Sequence, residues 1–338
     1  HDHEHEHGHE PAAPRYQNSL AYWGEYSFKT GTYSLYFGHT HQSHLHLAIV
    51  PAEAIEGLSF DEQGIIEESS EEALEGFAKK LMKTKGTDVK QEETIKPAAE
   101  ESFLVEMAHM EGRIDLEVEK EGRYFVFANL APSDALDYWF VDAEESDLEA
   151  MKDKTLDDTL EQIGHGYFKD EMVEDRSLED WKGSWKSVAD LPDSGVMDVV
   201  FEAKAKSGDK SVEDYKKMYQ TGYKTDIDGI EIEGNTFRFK RGDAVTEAAY
   251  KYGGYKILDY PKGNRGVRFL FTREGEVEGA PKYIQFSDHN IFPTTPKHFH
   301  LYMGEESHEA LLEDLEHWPT YYPADMSQDE IIADMLAH

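Results

Sequence analysis

The sequence contains no cysteine among its 338 residues. This absence excludes disulfides, iron–sulfur clusters, cysteine nucleophiles and zinc sites built on thiolates. Any transition-metal site must therefore use histidine and carboxylate side chains. The sequence also has no uninterrupted apolar run of roughly 18 residues or more, so we expect no transmembrane span.

Basic residues are scarce relative to acidic ones. There are 34 lysines and arginines against 70 aspartates and glutamates, which gives a formal net charge of −36. This balance excludes a nucleic-acid partner, because binding to phosphates needs a basic surface. Apolar residues make up 39% of the chain and aromatic residues 12%, enough to form a hydrophobic core. We therefore expect a folded protein whose acidic surface attracts cations.

The chain is long enough for two domains, at roughly 100–200 residues per domain. Its first ten residues, HDHEHEHGHE, have no apolar face, and we expect a disordered arm over residues 1–19. An acid-rich stretch with few aromatic residues predicts a linker at 141–164. The linker would separate a small β-rich domain with one helix, at 20–140, from a second unit at 165–338.

The sequence begins with His1 rather than methionine. Removal of an export signal would explain this start, and so would trimming of the chain. A lipidated residue just upstream would anchor the protein to a membrane. We expect an exported protein, located in the periplasm or at the cell surface.

The domain at 20–140 has the pattern of a small β structure. Apolar residues alternate with small or polar ones over 33–37, and again over 45–49, as in half-buried strands. Further strands are predicted over 102–130. An apolar stripe at helical spacing predicts one helix over 69–85. This domain carries no family motif that we recognise.

The second unit is predicted to be a set of antiparallel strands with helices. From residue 229 to residue 303, strands and turns alternate at spacings of roughly 10–15 residues, which favours a barrel or a sandwich. Two helices are expected to close the chain, the last of them opening with Ser327 and Glu330 as a capping box. The fold class is thus mainly β with helices.

Three histidines in the second unit have the spacing of metal ligands. On a strand, the imidazoles of His298 and His300 share one face because alternate residues point the same way. His289 precedes a proline-rich turn, so a hairpin would bring it opposite this pair. Three imidazoles suit tetrahedral Zn²⁺ and leave a fourth position for water, an anion or a carboxylate. Neighbouring acids, Asp288 among them, are expected to hold imidazole N–H groups; the alternative is a set of surface histidines without a metal.

Residues 281–304, PKYIQFSDHNIFPTTPKHFHLYMG, closely resemble the signature stretch of the ZinT (YodA) family of zinc-binding proteins. Four further blocks resemble this family and occur in the same order, so the resemblance extends from about residue 165 to the end of the sequence. These blocks are DRSLEDWKGSWKSV (175–188), GYKTDIDGIEI (222–232), YGGYKILDY (252–260) and HWPTYYPADMS (317–327).

The resemblance implies a lipocalin-like (calycin) barrel with added helices in an exported protein. It implies zinc binding through the three histidines of the signature, here His289, His298 and His300, and binding of Cd²⁺ and other divalent ions. It further implies zinc capture under scarcity, with hand-over to the solute-binding component of a zinc ABC importer. Longer streptococcal-type zinc lipoproteins carry a metal-receptor domain before this module, but residues 20–140 are too short and too β-rich for one. Whether the protein feeds an importer, replaces part of one or only buffers metal is left open.

A second cluster of histidines lies in the domain at 20–140. Two His-x-His pairs are separated by Gln42 and Ser43, and a tight turn there would bring the pairs together. A later strand could add a fifth imidazole. The cluster predicts a second zinc site, although Cu²⁺ or Ni²⁺ would bind imidazoles as readily; the alternative is a row of solvent-facing histidines. The candidate ligands are His39, His41, His44, His46 and His109.

The arm holds a third cluster. Alternating histidines and acids without fixed structure bind zinc weakly and raise its local concentration. The alternative is a plain charged tail. The histidines concerned are His1, His3, His5, His7 and His9.

Two functions follow from these patterns. The first is an exported protein that captures divalent metal and buffers it or delivers it to an importer. The second is a zinc-dependent hydrolase or hydratase, because three histidines and an open coordination position also describe a site that activates water. Three separate histidine clusters and the family resemblance favour the first.

Overall fold

The computed structural model describes residues 15–108 and 110–338. The predictions made for the arm histidines and for His109 lie outside the described residues. The described chain forms two compact units, Arg15–His165 and Gly166–His338, called here the N-terminal unit and the C-terminal unit. Within the described ranges, no helix combines the length and the apolar character needed to cross a membrane.

In its described residues, the N-terminal unit contains eleven strands and two α-helices. In chain order these are β1 (Tyr22–Phe28), β2 (Gly31–Phe37), β3 (His44–Pro51), α1 (Glu71–Met82), β4 (Thr87–Val89), β5 (Thr94–Ile95), β6 (Phe103–Glu106), β7 (Gly112–Val118), β8 (Gly122–Ala128), β9 (Tyr138–Val141), β10 (Asp147–Leu148), β11 (Lys152–Thr155) and α2 (Thr159–Gly164).

These strands form two sheets, one in the order β11-β1-β8-β3-β6-β4 and the other in the order β10-β9-β2-β7-β5. The sheets pack face to face through aromatic rings. Phe28 of the first sheet lies 5.3 Å from Phe140 and 4.8 Å from Tyr33 of the second, measured between ring centroids. The other face of the six-stranded sheet is covered by α1, whose Leu74 and Leu81 belong to the same buried cluster as Trp23. The predicted helix and β-rich character are confirmed.

The acidic segment at 141–164 is not a linker. Strand β10 pairs with β9, and β11 pairs with β1, so the segment completes both sheets of the N-terminal unit. Both strands are edges of their sheets, where charged side chains face solvent and discourage pairing with other chains. The acid-rich composition thus marks sheet edges. Residues 15–19, expected in the arm, also belong to this unit, because the carbonyl of Gln17 is hydrogen-bonded to the ring of His46 at 2.9 Å.

The C-terminal unit contains eight strands and four α-helices. In chain order these are β12 (Gly183–Ser187), α3 (Asp198–Ser207), α4 (Val212–Tyr223), β13 (Gly229–Glu233), β14 (Thr236–Arg241), β15 (Ala244–Asp259), β16 (Arg265–Arg273), β17 (Tyr283–Ser287), β18 (Phe299–Gly304), α5 (His308–Glu313), β19 (Thr320–Pro323) and α6 (Gln328–Leu336).

The eight strands form a closed antiparallel barrel in which each strand pairs with the next and β19 returns to β12. The expectation of a lipocalin-like barrel with added helices is confirmed. Aromatic side chains fill the interior. The rings of Trp181 and Phe286 are stacked with centroids 4.2 Å apart, and Phe286 packs on Phe299 at 5.1 Å. Because aromatic side chains fill the interior, a binding site is expected on the outer surface of the barrel.

On that outer surface, α3, α4 and α6 pack against the barrel around a second buried cluster, which includes Phe201, Tyr223, Tyr322 and Met335. Helix α6 begins as predicted, because the hydroxyl of Ser327 accepts a hydrogen bond from the backbone N–H of Glu330. This layer encloses the segment that carries the predicted zinc ligands.

Candidate metal centre

The hairpin of β17 and β18 positions the three predicted ligands. The two strands are antiparallel, with Ser287 opposite His300. Phe299 is fully buried and packs on Trp185 inside the barrel, with ring centroids 4.6 Å apart. Because neighbouring strand residues point to opposite faces, His298 and His300 project from the outer side of the barrel. His289 lies at the other end of the loop with a left-handed backbone (φ 65°).

The three imidazoles lie close together. Ring centroids of His298 and His300 are 6.0 Å apart, and those of His289 and His300 are 6.3 Å apart. Two imidazoles bound to one tetrahedral Zn²⁺, with Zn–N near 2.0 Å, have centroids about 5 Å apart. A closing movement of roughly 1 Å would therefore bring these rings onto one ion. The hairpin thus brings His289, His298 and His300 close together, and their role as metal ligands stays a prediction.

Thr320 on β19 fixes the proton of His300. The Thr320 hydroxyl donates to the carbonyl oxygen of Trp318 at 2.9 Å, so the 2.6 Å contact between His300 Nδ1 and Thr320 Oγ1 must use the hydrogen of Nδ1. Nε2 of the neutral ring then carries the lone pair. This is the arrangement in which a metal-binding histidine presents one nitrogen and anchors the other.

Asp334 on α6 places a carboxylate against His298. The carboxylate is completely buried, and Oδ2 lies 3.1 Å from His298 Nδ1. A carboxylate beside Nδ1 favours the tautomer that carries its hydrogen on Nδ1 and its lone pair on Nε2. The ring of Tyr322 stacks on His298 at 4.8 Å and its hydroxyl donates to Asp334 Oδ2 at 2.6 Å. The orientation of this imidazole is fixed on two sides.

A fourth imidazole lies beside the trio. The ring of His338 is 5.2 Å from that of His298, and its Nε2 lies 3.5 Å from Asp334 Oδ2. Nothing in the sequence pattern indicated this residue.

Electrostatics favour the neutral form, which is the form that can bind a metal, for two of these imidazoles. Burial, followed by the neighbouring rings of His298 and His338, lowers the pKa of His289 to about 4. Part of His289 is exposed to solvent, but the protein around its ring weakens the hydration of a charge. Burial and the adjacent imidazoles also hold the pKa of His300 well below its usual value. Both rings are therefore unprotonated at neutral pH.

The comparisons with known proteins agree with this geometry. The family profile described as "ZinT (YodA) periplasmic lipocalin-like zinc-recruitment" matches residues 159–338, just over half of the chain. The chain belongs to the ZinT (YodA) family. The resemblance drawn from the five sequence blocks is confirmed, and the barrel on whose surface these histidines lie is a ZinT barrel.

Individual ZinT relatives are metal-binding proteins by name. The chain is 46% identical over 183 residues to the probable metal-binding protein YrpE of Bacillus subtilis (strain 168), a match that covers 54% of this chain and 72% of YrpE. It is 43% identical over 211 residues to the zinc-binding lipoprotein AdcA of Streptococcus pneumoniae serotype 4, covering 59% of this chain but 42% of AdcA. The crystal structure of Zn(II)-bound AdcA from Streptococcus pneumoniae superposes with a TM-score of 0.51 at 45% identity, covering 57% of this chain and 42% of AdcA.

Asp288 does not hold an imidazole in the ZinT barrel, contrary to expectation. Its two carboxylate oxygens accept hydrogen bonds from Arg176 at 2.7 and 2.8 Å, and Oδ2 also accepts one from Trp181 Nε1 at 3.2 Å. The Arg176 side chain is completely buried and lies over the Trp181 ring. Asp288 thus anchors the loop that carries His289. The Asp288 carboxylate forms an ion pair with the guanidinium, because a buried charge needs a hydrogen-bonded partner of opposite charge.

The residues that orient the ZinT imidazoles were missed by sequence reasoning. Thr320 lies on a four-residue strand that follows Pro319 and ends at Pro323. So short a strand shows no alternation of apolar and polar residues that could be detected in the sequence. Asp334 carried a usable signal, because it stands on the apolar face of α6 between Ile331 and Met335. A carboxylate at such a position requires a buried partner.

The second cluster does not form the predicted hairpin. Strands β2 and β3 belong to different sheets, so the segment with Gln42 and Ser43 crosses between sheets. His46 is buried, with Nδ1 2.9 Å from the carbonyl of Gln17 and Nε2 2.8 Å from the hydroxyl of Ser102. Both ring nitrogens are used by the protein, which removes His46 from the candidate ligands. His44 begins β3 on the same strand face as His46, with Nδ1 3.0 Å from Ser43 Oγ.

His39 and His41 remain together. Their ring centroids are 5.0 Å apart and the rings are nearly perpendicular. Both side chains are partly exposed.

Proposed function

We propose that this protein captures Zn²⁺ with His289, His298 and His300. The observation that carries the proposal is the convergence of three imidazoles, two of which have a partner at Nδ1. Thr320 lies 2.6 Å from Nδ1 of His300 and Asp334 lies 3.1 Å from Nδ1 of His298, which favours a lone pair on Nε2 of each ring for a common ion. Zinc binding then requires no tautomer change at either ring.

The fourth coordination position is open to two donors. A water molecule would occupy it in a site that releases its metal readily, whereas His338 would close the site as a fourth nitrogen ligand. The 5.2 Å separation between the rings of His338 and His298 is within the spacing of two imidazoles on one ion. We favour His338 as a ligand that completes the coordination sphere after the three hairpin histidines have bound.

The wider role that we infer is zinc capture outside the cytoplasm. The family description contains the words periplasmic and zinc-recruitment, and the streptococcal relative is named a zinc-binding lipoprotein. On this basis we propose an exported protein that buffers zinc or delivers it to the solute-binding component of a zinc ABC importer. The acidic surface, with its net charge of −36, raises the local concentration of cations. Cd²⁺, Ni²⁺ and Cu²⁺ are further ions that an all-imidazole site would accept.

A zinc-dependent hydrolase is the other function that three histidines allow. The names of the relatives describe metal binding and no reaction. The two groups best placed to act as a base are already engaged, since Asp334 is held by Tyr322 and lies against His298, and Asp288 is held by Arg176. We therefore infer a binding protein.

The test is calorimetric titration of the metal-stripped protein with Zn²⁺. We expect the tightest site to disappear in the His298→Ala/His300→Ala double variant. The matched control is His317→Ala, which removes an exposed histidine of the same unit and should leave the tightest site in place. Persistence of that site in the double variant would contradict the proposal.

A further inference from the structure

The loop that joins β2 to β3 is held rigidly on both sides of two histidines. Thr40 is buried, and its hydroxyl donates to the carbonyl of Ala135 at 2.6 Å while accepting the backbone N–H of Gln42 at 3.0 Å. The backbone N–H of Gly38 donates to the carbonyl of Asp137 at 2.9 Å. The residues between these anchors are His39 and His41, whose side chains stay partly exposed.

The separation of the two rings matches that of two ligands on one ion. Their centroids are 5.0 Å apart with an interplanar angle of 80°. Two imidazoles on a tetrahedral Zn²⁺ would have centroids about 5 Å apart, from a Zn–N distance near 2.0 Å and a tetrahedral angle. The rings of His39 and His41 therefore need not move closer together to bind one ion, whereas those of His289, His298 and His300 must do so. The segment before β9 that is hydrogen-bonded to the loop also carries Asp134 and Asp137, both exposed, which make the local potential favourable to a cation.

We propose that His39 and His41 form a second metal site, in the N-terminal unit, for a divalent ion that prefers imidazole. Two protein nitrogens bind the ion, and the remaining coordination positions are taken by water. Fewer protein ligands give a weaker and faster-exchanging site than the trio in the barrel. This site lies outside the residues matched by the ZinT profile and does not depend on the proposed function of the barrel.

The experiment isolates this pair in the full chain. The background variant lacks the barrel site, through His298→Ala and His300→Ala, and lacks the arm cluster, through His1→Ser, His3→Ser, His5→Ser, His7→Ser and His9→Ser. It is titrated with Zn²⁺ alone, followed by calorimetry and by NMR of the histidine side chains. Because the barrel site is already absent, the outcome is independent of whether the barrel binds zinc.

One remaining site is expected in this background. Its dissociation constant should rise at least about tenfold with His39→Ala or with His41→Ala, because each removes one of two nitrogen ligands. The exposed histidine of the same unit, His165, supplies the control, and His165→Ala should leave the constant unchanged. In the NMR spectra the rings of His39 and His41 should shift, while His46, with both nitrogens hydrogen-bonded, should not. Absence of any site in the background, or a site that survives loss of both histidines, would overturn the proposal.

Discussion

The buried carboxylate of Asp334 lies 3.1 Å from Nδ1 of His298 and links helix α6 to the hairpin that carries the proposed zinc ligands. The helix thereby places a carboxylate against an imidazole on a different element. The same carboxylate accepts the hydroxyl proton of Tyr322, so the ring and its partner are fixed as one group. Metal affinity should therefore depend on a residue that is not itself a ligand.

Replacing Asp334 with asparagine tests this dependence. Asp334→Asn keeps the shape but removes the charge that holds the Nδ1 hydrogen of His298 and raises the basicity of the ring. We expect zinc affinity to fall about 10–100-fold, the usual effect of losing such a partner. The measurement is competition with a zinc chelator. Asp329→Asn, an exposed acid in the first turn of the same helix, should bind like the unaltered protein, and equal affinity of all three proteins would show that Asp334 does not orient the ligand.

Thr320 should act on His300 through its hydroxyl. Thr320→Val keeps the size and branching of the side chain but offers no acceptor for the Nδ1 hydrogen, so we expect zinc affinity to fall about tenfold. Thr320→Ser restores the hydroxyl and should recover most of the affinity. The comparison of the two variants in the same chelator competition separates hydrogen bonding from packing. A serine variant as weak as the valine variant would assign the effect to packing alone.

As the pH falls, the zinc affinity of this site should decrease less than that of a site built from imidazoles with ordinary pKa values. Protons compete with the metal only where the free ring is protonated. An imidazole with a pKa of about 6.5 loses roughly tenfold in metal affinity by pH 5.5, so two such rings lose about 100-fold. His289, with its pKa lowered to about 4, and His300, with its pKa also well below the usual value, should contribute almost none of this loss.

Dissociation constants measured from pH 7.5 to pH 5.5 check this point. The pKa is lowered, so the neutral form persists as the pH falls, and competition at His289 should begin only near pH 4. A fall in affinity of about 1,000-fold by pH 5.5, the value for three ordinary imidazoles, would contradict the effect of burial on these rings.

Gly222 on α4 allows Trp318 to pack near the site. A Cβ atom at this position would lie 2.3 Å from the indole ring, and the ring centroid of Trp318 is 5.9 Å from that of His300. We expect Gly222→Ala to destabilise the protein by about 1–3 kcal/mol, because the indole must move, and to weaken zinc binding. Gly76→Ala is the matched control in α1, where a Cβ meets nothing within 4 Å, and it should stabilise by about 0.5–1 kcal/mol. Urea unfolding measures both; equal stability changes would show that the contact with Trp318 is not tight.

Local patterns were sufficient to predict the ligand hairpin. The alternation of His298 and His300 with Phe299 follows from strand geometry, and the antiparallel return of the loop brings His289 to them. The orienting residues lie on elements distant in sequence. Asp334 and Thr320 become partners of the ligands only when β19 closes the barrel against β12 and α6 packs on its outside.

The N-terminal unit shows the limit of the same reasoning. The spacing of His39, His41, His44 and His46 suggested a tight hairpin, but β2 pairs with β7 and β9, and β3 pairs with β6 and β8. A short connection between consecutive strands does not reveal whether they share a sheet. Sheet membership is decided by pairing with strands more than 50 residues away, such as Leu35 with Ile114, and this information is absent from the local pattern.

X-ray absorption at the zinc edge, with one equivalent of Zn²⁺ bound to the metal-stripped full chain, would identify the atoms that hold the metal. We expect a first shell of three or four light-atom ligands near 2.0 Å with the outer-shell pattern of imidazole rings, and loss of that pattern in the His298→Ala/His300→Ala variant. A first shell of oxygen ligands without imidazole features, or a spectrum that the double variant leaves unchanged, would contradict this expectation.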